Sequence, residues 1–301
     1  MSDASPAHRL GPHVIGTRVV VRRIVPGARG ATGGLALTDV LGICTSWPDP
    51  ALGPEAEVTI ETDAGPVSFP AGLVVSGKPV PPRPSVRLRV GVREAELHTA
   101  GLFPGVEATP LGEWSIRWEP QPEGRLRKRA NSALAVGSPG GPLTDGFASV
   151  ATFYRERGRT PLLHVELDGD VEAAAVEAGW APVPGDTAFL VASVAQLSRR
   201  LPEPELPVVV DGPEVHVETG TATGRAALDG DWVGLHDLAV DPAHRRQGLA
   251  GRVIASLLDV AAEQGVRTAW LHVELDNSGA RALYDGLGFA EHHRMRYLTL
   301  A

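Results

Sequence analysis

The 301-residue chain predicts an α/β (α+β) protein. A mixed sheet, built from two copies of one strand–helix–strand–helix unit, stands behind a small all-β barrel. Three observations predict this. The stretch Leu235 to Phe289 alternates strand and helix patterns. The hexapeptide LHVELD stands at Leu163 to Asp168 and again at Leu271 to Asp276. The front of the chain breaks into short β-rich runs punctuated by Gly and Pro.

Composition bounds the function. The length suggests two or three domains, and 43% hydrophobic residues suffice for real cores. No apolar run reaches the roughly 18 residues that span a bilayer. The opening MSDASPAHRL has no apolar core of a signal peptide, so a cytoplasmic protein is expected. The single cysteine, Cys44, excludes an internal disulfide and a Cys-based metal cluster. Ten histidines are scattered without HExxH spacing, so no metal is expected. GxSxG is missing, which argues against a serine acyl-enzyme. A net charge of −8 argues against non-specific nucleic-acid binding. Lys78 and Lys128 are the only lysines, and with the Ala, Gly and Pro load this suggests a GC-rich bacterial genome.

Taken in order, residues 1–12 read as disordered. Residues 13–80 hold short strands at Thr17 to Val25, Ala36 to Trp47, Glu57 to Thr62, Val67 to Phe69 and Leu73 to Val75, with a hairpin turn at Thr62 to Gly65. So many short strands resemble an SH3-like barrel. Arg18, Arg22 and Arg23 suit a charged edge that resists aggregation. The run KPVPPRP, Lys78 to Pro84, lacks backbone donors; residues 81–84 are read as a semi-rigid linker.

Residues 85–196 form the first copy. A helix is expected over Ser85 to Ala100, weakened by Gly91. Strands are expected at Trp114 to Glu119, Ser132 to Val136, Leu162 to Leu167 and Ala188 to Val194, with helices at Pro142 to Arg157 and Val171 to Ala178. Arg125 to Arg129, RLRKR, is read either as a phosphate contact or as a solvated loop. Residues 197–301 form the second copy: strand Leu235 to Val240, turn Asp241 to Gly251, helix Arg252 to Gln264, strand Ala269 to Glu274 and helix Ser278 to Gly286. The first helix carries Val253, Ile254, Leu257, Leu258 and Ala261 at amphipathic spacing.

A strand that ends in a basic, Gly-bearing turn and opens a helix suits a phosphate. The first helical amides have no partner within the helix, and the dipole makes that end positive. Gly248 lets a ligand approach the backbone. Arg245 and Arg246 add mobile charge. Neither GxxxxGK[ST] nor the three-Gly dinucleotide spacing is present.

Arg245-Arg246-Gln247-Gly248-Leu249-Ala250 fits [QR]xxGx[GA] and resembles the loop of the GNAT N-acetyltransferase superfamily. Leu238-Ala239-Val240-Asp241-Pro242 before it, and Asn277, Ala280, Leu283, Tyr284, Gly288 and Phe289 after it, resemble that family's flanking strand and N…A..LY…GF signature. The whole is similar to actinobacterial tandem GNAT proteins with an SH3-like front domain.

The copies are chemically unequal. Leu134-Ala135-Val136 matches Leu238-Ala239-Val240, but Val136 leads into GSPGGPLTDGF, without arginine. Gly169 and Val176 stand at the places of Asn277 and Tyr284. The first copy is read as a degenerate half that supplies scaffold. Two arrangements stay open: the copies share one sheet, or they pair two sheets.

The resemblance implies acetyl-CoA as donor, with direct attack by an amine and no covalent intermediate. It implies that amides at Leu238, Ala239 and Val240 bond the pantetheine and the thioester carbonyl. Those from Arg246 to Gly251 would hold the pyrophosphate, and Asn277 the pantetheine arm. Tyr284 matches the family's acid. The base is open among His272, His236, Asp237 and water. His272 stands where some family members carry a catalytic Glu; His236 and Asp237, as neighbours on a strand, point to opposite faces. His292 and His293 are expected to be exposed. The acceptor, a small-molecule or peptide amine, is unreadable, although Glu218, Glu274 and Asp276 suit a cation. A homodimer is left open. Two alternatives stand beside the enzyme: an acyl-CoA-binding sensor, and a peptide or nucleic-acid adaptor built on the barrel.

Overall fold

The computed structural model describes residues 10–30, 33–62, 64–80, 85–122, 124 and 126–300. Contacts divide the chain into two units, Met1–Pro84 and Ser85–Ala301. Most of the segment expected to be disordered, and residues 81–84 of the expected linker, lie outside the described residues. Leu10 packs against the first unit's core, and Lys78 and Pro79 end a strand.

The first unit is antiparallel: β1 (Arg18–Arg29), β2 (Leu35–Ser46), β3 (Glu57–Thr62), β4 (Gly65–Pro70) and β5 (Val74–Pro79). They lie in the order β4-β3-β2-β1-β5. Among the described residues no ladder joins β4 to β5, so the sheet is open and the expected closed barrel is not formed. Alternation puts Val19, Val21, Val58 and Ile60 on one buried face. Thr62 pairs with Gly65 across the expected turn. Arg22 pairs with Asp39, and Arg23 lies over Phe69.

The second unit opens not on one helix but on three short turns. A 3-10 turn covers Val86–Arg89, α1 covers Val92–Leu97, and a second 3-10 turn covers His98–Leu102. Gly91 is extended, with ψ 147°, which interrupts the expected helix. The chain continues through β6 (Glu107–Leu111), β7 (Trp114–Trp118), β8 (Ala133–Leu134), α2 (Leu143–Glu156), β9 (Leu162–Glu166), α3 (Asp170–Glu177), β10 (Ala181–Ser193) and α4 (Val194–Ser198). The second copy holds β11 (Val209–Asp211), β12 (Glu214–Glu218), β13 (Ala222–Asp229), β14 (Trp232–Val240), α5 (Leu249–Glu263), β15 (Thr268–Glu274), α6 (Ser278–Leu287) and β16 (Ala290–Thr299).

The eleven strands described for this unit form one sheet, in the order β11-β12-β13-β14-β15-β10-β16-β9-β8-β7-β6. This answers the question left by the repeat: the copies share a single sheet. They also exchange their last strands. β10, which ends the first copy, pairs with β15 of the second, and β16, which ends the second, pairs with β9 of the first. β10 and β16 pair with each other at the centre.

The alternation of β15 divides the second copy into two faces. Ala269, Leu271 and Val273 join a core with Val253, Ile254 and Leu257 of α5 and Tyr284 of α6. Trp270 points the other way and packs with Ala95, Leu102, Phe189 and Trp232. α2 and α3 cover a separate core on the first copy, around Trp114, Phe147 and Tyr154.

Candidate active site

The site begins where two parallel strands separate. β14 and β15 pair at Trp232 with Thr268, Val233 with Ala269 and Gly234 with Trp270. The pairing stops there, although β14 runs on to Val240 and β15 to Glu274. The cause lies on the other edge of β14. There Arg225 faces His236 and Thr223 faces Ala239, so Asp237 and Leu238 share one partner residue. This bulge puts Asp237 at φ 49° and bends the strand away from β15. The facing backbone edges beyond Gly234 and Trp270 are left without a ladder.

The turn after β14 aims amides at this opening. The Asp241 carboxylate accepts from the Ala243 amide at 2.8 Å and folds the chain back. Arg246 and Gly248 are both left-handed, with φ 64° and 79°, and Gly248 caps α5. No side chain caps that end, so the first amides of a 15-residue helix are free to bind an anion. Arg245, Arg246 and Gln247 are exposed.

A cavity of about 810 Å³ joins the turn to the opening. Leu238, Ala239, Val240, Arg245, Arg246, Gly248, Leu249, Ala250, Gly251, Asn277 and Tyr284 line it. These are the residues singled out from the sequence, save Gln247 and His272. His244, Gly279, Ala280, Ala282 and Leu283 line it too. Asn277 caps α6, its Oδ1 accepting from the Ala280 amide at 3.1 Å, so only its side-chain NH2 remains to donate. Tyr284 is buried, and burial raises its pKa, which keeps the phenol a proton donor.

The first copy is closed at the equivalent place. Leu134 pairs with His164 in the β8–β9 ladder, and the Ala135 amide bonds the His164 carbonyl at 2.9 Å. Their counterparts, Leu238 and His272, are not paired with each other, since the β14–β15 ladder ends at Gly234 and Trp270. The loop after β8 is occupied by an internal anion: the Glu113 carboxylate accepts from the Ser138 amide at 2.7 Å. The degenerate half thus lacks the gap as well as the charges.

The candidates for the base fall on the face of the sheet away from α5. His236 lies two residues past Gly234, and His272 two past Trp270, one on each side of the opening. His236 Nδ1 is 3.3 Å from the Asp237 carboxylate, and the hydrogen bond from His236 holds Asp237 below the usual carboxylate range. His272 is buried, its side chain 3% exposed, and Nε2 donates to Glu96 Oε1 at 2.7 Å. Burial, aided by the charge of Arg129, pushes its pKa down to about 4. The ring is therefore neutral at neutral pH.

Two expectations are corrected on this face. His293 is not exposed: its side chain is 2% accessible and its Nε2 lies 3.1 Å from Glu96 Oε1. His292 is half-buried and bonds the Val90 carbonyl. Both stand on β16, which is an inner strand because of the exchange. Nor are residues 126–129 of the basic run a free loop, while Arg125 lies outside the described residues. Arg127 pairs with Glu119 and lies over Phe103, and Lys128 donates to the Pro184 carbonyl at 2.7 Å. Glu274, Asp276 and Glu218 are exposed.

Glu96 escaped sequence reasoning. It is fully buried, as are Ala95, Thr99 and Leu102. The spacing of Glu96, Thr99 and Leu102, a carboxylate and a hydroxyl in register with a leucine on one stripe, was the available signal.

Residues 167–298 match the family described as Probable histone acetyltransferase Rv0428c C-terminal. The chain is 27% identical over 311 aligned residues to "Probable histone acetyltransferase Rv0428c" of Mycobacterium tuberculosis, covering 94% of this chain and 95% of that protein. It is 46% identical over 57 residues to the "[Ribosomal protein bS18]-alanine N-acetyltransferase" of Escherichia coli K12. That match takes in 19% of this chain and spans 38% of that relative's length. A solved GCN5-related N-acetyltransferase from Kribbella flavida superposes with a TM-score of 0.54 at 17% identity, over 70% of this chain and 96% of that one. The GNAT resemblance read from the motifs is borne out, and the fold is that of this superfamily. No helix among the described residues is long and apolar enough to cross a membrane.

Proposed function

We propose that this chain is an acetyl-CoA-dependent N-acetyltransferase whose second copy carries the reaction. The observation behind this is the parting of β14 from β15 at Gly234 and Trp270, continuous with a cavity that ends on the uncapped amides of α5. A thin, extended thiol arm with hydrogen-bonding amides suits such a gap. A diphosphate suits the helix end and its two arginines.

The chemistry follows from the groups at hand. An amine nitrogen attacks the thioester carbonyl carbon, and the C–S bond breaks as the C–N bond forms. Amides of Leu238 to Val240 stabilise the oxyanion. The Tyr284 hydroxyl gives its proton to the leaving sulfur. An α-amino group, with a pKa near about 8, or a lysine, near about 10, arrives mostly protonated at neutral pH, so a base must take its proton. His272 fills that role, with His236 beside Asp237 across the opening.

The acceptor is a protein or peptide amine. The names of the relatives support this, since one set acts on an alanine of a ribosomal protein. A cytoplasmic site of action follows from the same reading.

Calorimetric titration with acetyl-CoA tests it, alongside Gly248→Glu. The wild type should bind in the micromolar range and the variant should not, because the new carboxylate meets the diphosphate and the left-handed backbone disfavours a side chain. Free-thiol release with a peptide beginning in alanine should then be seen. A wild type that does not bind acetyl-CoA refutes the proposal.

A further inference from the structure

One carboxylate organises the face of the sheet opposite α5. Glu96 Oε1 takes two hydrogen bonds, from His272 Nε2 at 2.7 Å and from His293 Nε2 at 3.1 Å. The chain of contacts continues. His293 Nδ1 lies 2.7 Å from His292 Nδ1, and His292 Nε2 lies 2.9 Å from the Val90 carbonyl oxygen.

Donor and acceptor rules place the protons. A carbonyl only accepts, so His292 Nε2 is an N–H. One proton must lie between the two Nδ1 atoms. A carboxylate only accepts, so His293 Nε2 and His272 Nε2 are both N–H. Burial raises Glu96, but its contacts with His272 and then His293 outweigh it and hold the carboxyl well below its usual range. Four contacts thus need four protons on three imidazoles, one more than three neutral rings carry. Burial and the neighbouring His293 lower His292. The extra proton is held within the Glu96–His293–His292 chain, and His272 does not need it.

His272 is left with no such freedom. With Nε2 committed to Glu96, its Nδ1 carries the lone pair. That atom is buried and has no partner, and so is His236 Nε2 across the opening. Other groups facing the cluster are Arg117 from β7, Arg129 from the turn before β8, His164 from β9 and Tyr297 from β16. Arg117 donates to His164 Nδ1 at 3.4 Å, so that ring is neutral with its proton on Nε2. Burial, then the Arg129 guanidinium and His293, disfavour a second proton on His272, and Glu96 offsets them in part.

We propose that Glu96 is the positioning residue for the base. It fixes His272 as the Nε2–H tautomer and leaves the Nδ1 lone pair uncommitted, on the strand that borders the β14–β15 opening, to receive the proton of the attacking amine. This rests on the acetyltransferase reading. It also gives a task to α1, which precedes the repeated strand–helix–strand–helix unit of the first copy.

Long-range 1H–15N correlation of the histidines in the full chain tests the tautomer without substrate. Between about pH 6 and 8, His272 should show a pyridine-like Nδ1 and a pyrrole-like Nε2. The reverse pattern overturns the proposal. Glu96→Gln is the second arm. A carboxamide offers one acceptor and one donor, so one imidazole must turn over. With acetyl-CoA and a peptide beginning in alanine, kcat should fall about tenfold or more, and the acid limb of kcat/KM should move, while acetyl-CoA Kd changes by less than about twofold. An unmoved limb and rate overturn the positioning role. Acetyl-CoA titration of the wild type separates the two failures: no binding removes the functional reading, whereas binding with the reversed tautomer removes the role of Glu96 alone. The wild-type spectrum decides the tautomer even where the variant does not fold.

Discussion

Arg296 on β16 grips Asp186 on β10 through two parallel bonds, Nε to Oδ1 at 3.0 Å and Nη2 to Oδ2 at 2.6 Å. Its Nη1 reaches Glu172 Oε1 on α3 at 2.7 Å. The hydrogen bonds to Asp186 come first in raising its pKa. The last strand of the second copy is thereby clipped to β10 and α3 of the first. The clip is half-screened, with Arg296 26% and Asp186 24% exposed, while Glu172 is 10% exposed. Arg296→Met should cost about 2 kcal/mol, between the values for surface and buried pairs, because Glu172 is left buried without its cation. A lower urea midpoint with an unchanged m-value would show it. An unchanged midpoint would mean that the sheet ladders alone hold the exchange.

Tyr284→Phe removes a proton and almost no shape. Tyr284 packs edge-on against Phe289, rings 5.5 Å apart, and phenylalanine keeps that contact. The expected result is a fall in kcat of about a hundredfold with acetyl-CoA affinity within about twofold. Equal rates for the two proteins would make Tyr284 a packing residue.

Much of this was legible because it is local. The turn from Asp241 to Gly251 declares its chemistry in consecutive residues, and α5 shows its buried stripe in its spacing. The repeated LHVELD located β9 and β15. The features that stayed hidden depend on pairing across distance. Glu96 lies 176 residues before His272, and nothing local links them. His292 and His293 sit in EHHRMRYLT, which reads as a polar tail. β16 is nevertheless an inner strand, because it inserts between β9 and β10, and its polar side chains find partners there. Strand exchange has no signature in local periodicity. The gap itself was foreseen only through the family resemblance; its cause, the bulge at Asp237, depends on the register of β13.

Gly234 should not tolerate a side chain. A Cβ there would lie 2.4 Å from Trp270 Cζ2 and 3.1 Å from Leu102 Cδ2. Trp270 cannot yield easily, since it stacks on Phe189 at 5.0 Å. Gly234→Ala should therefore lose about 1–3 kcal/mol to overpacking. Gly286, inside α6, has open space around it. Gly286→Ala should gain up to about 1 kcal/mol through helix propensity. Denaturation of the two variants in parallel checks the contrast, and equal midpoints would contradict the close contact at the last ladder pair.

Stability should fall on mild acidification. In the native state His272 titrates near about 4, held down by burial and then by Arg129, and His164 and His292 are lowered by burial as well. Unfolded histidine titrates near about 6.5. As pH falls below that value, the unfolded chain takes up protons at these three sites and the native interior does not. The unfolded state then binds more protons, so stability rises with pH in this window and is lost as pH drops through it. Glu96, held low by its histidines, contributes stability above about 4.3 that is lost only below that value. The loss should thus begin near about pH 6.5, at about 1 kcal/mol or more per pH unit, and below about pH 4.3 Glu96 adds its share as that of His272 fades. Urea midpoints at a series of pH values measure it. A flat profile from about pH 7.5 to 5 would mean that these imidazoles accept protons in the native interior, and that burial does not govern them.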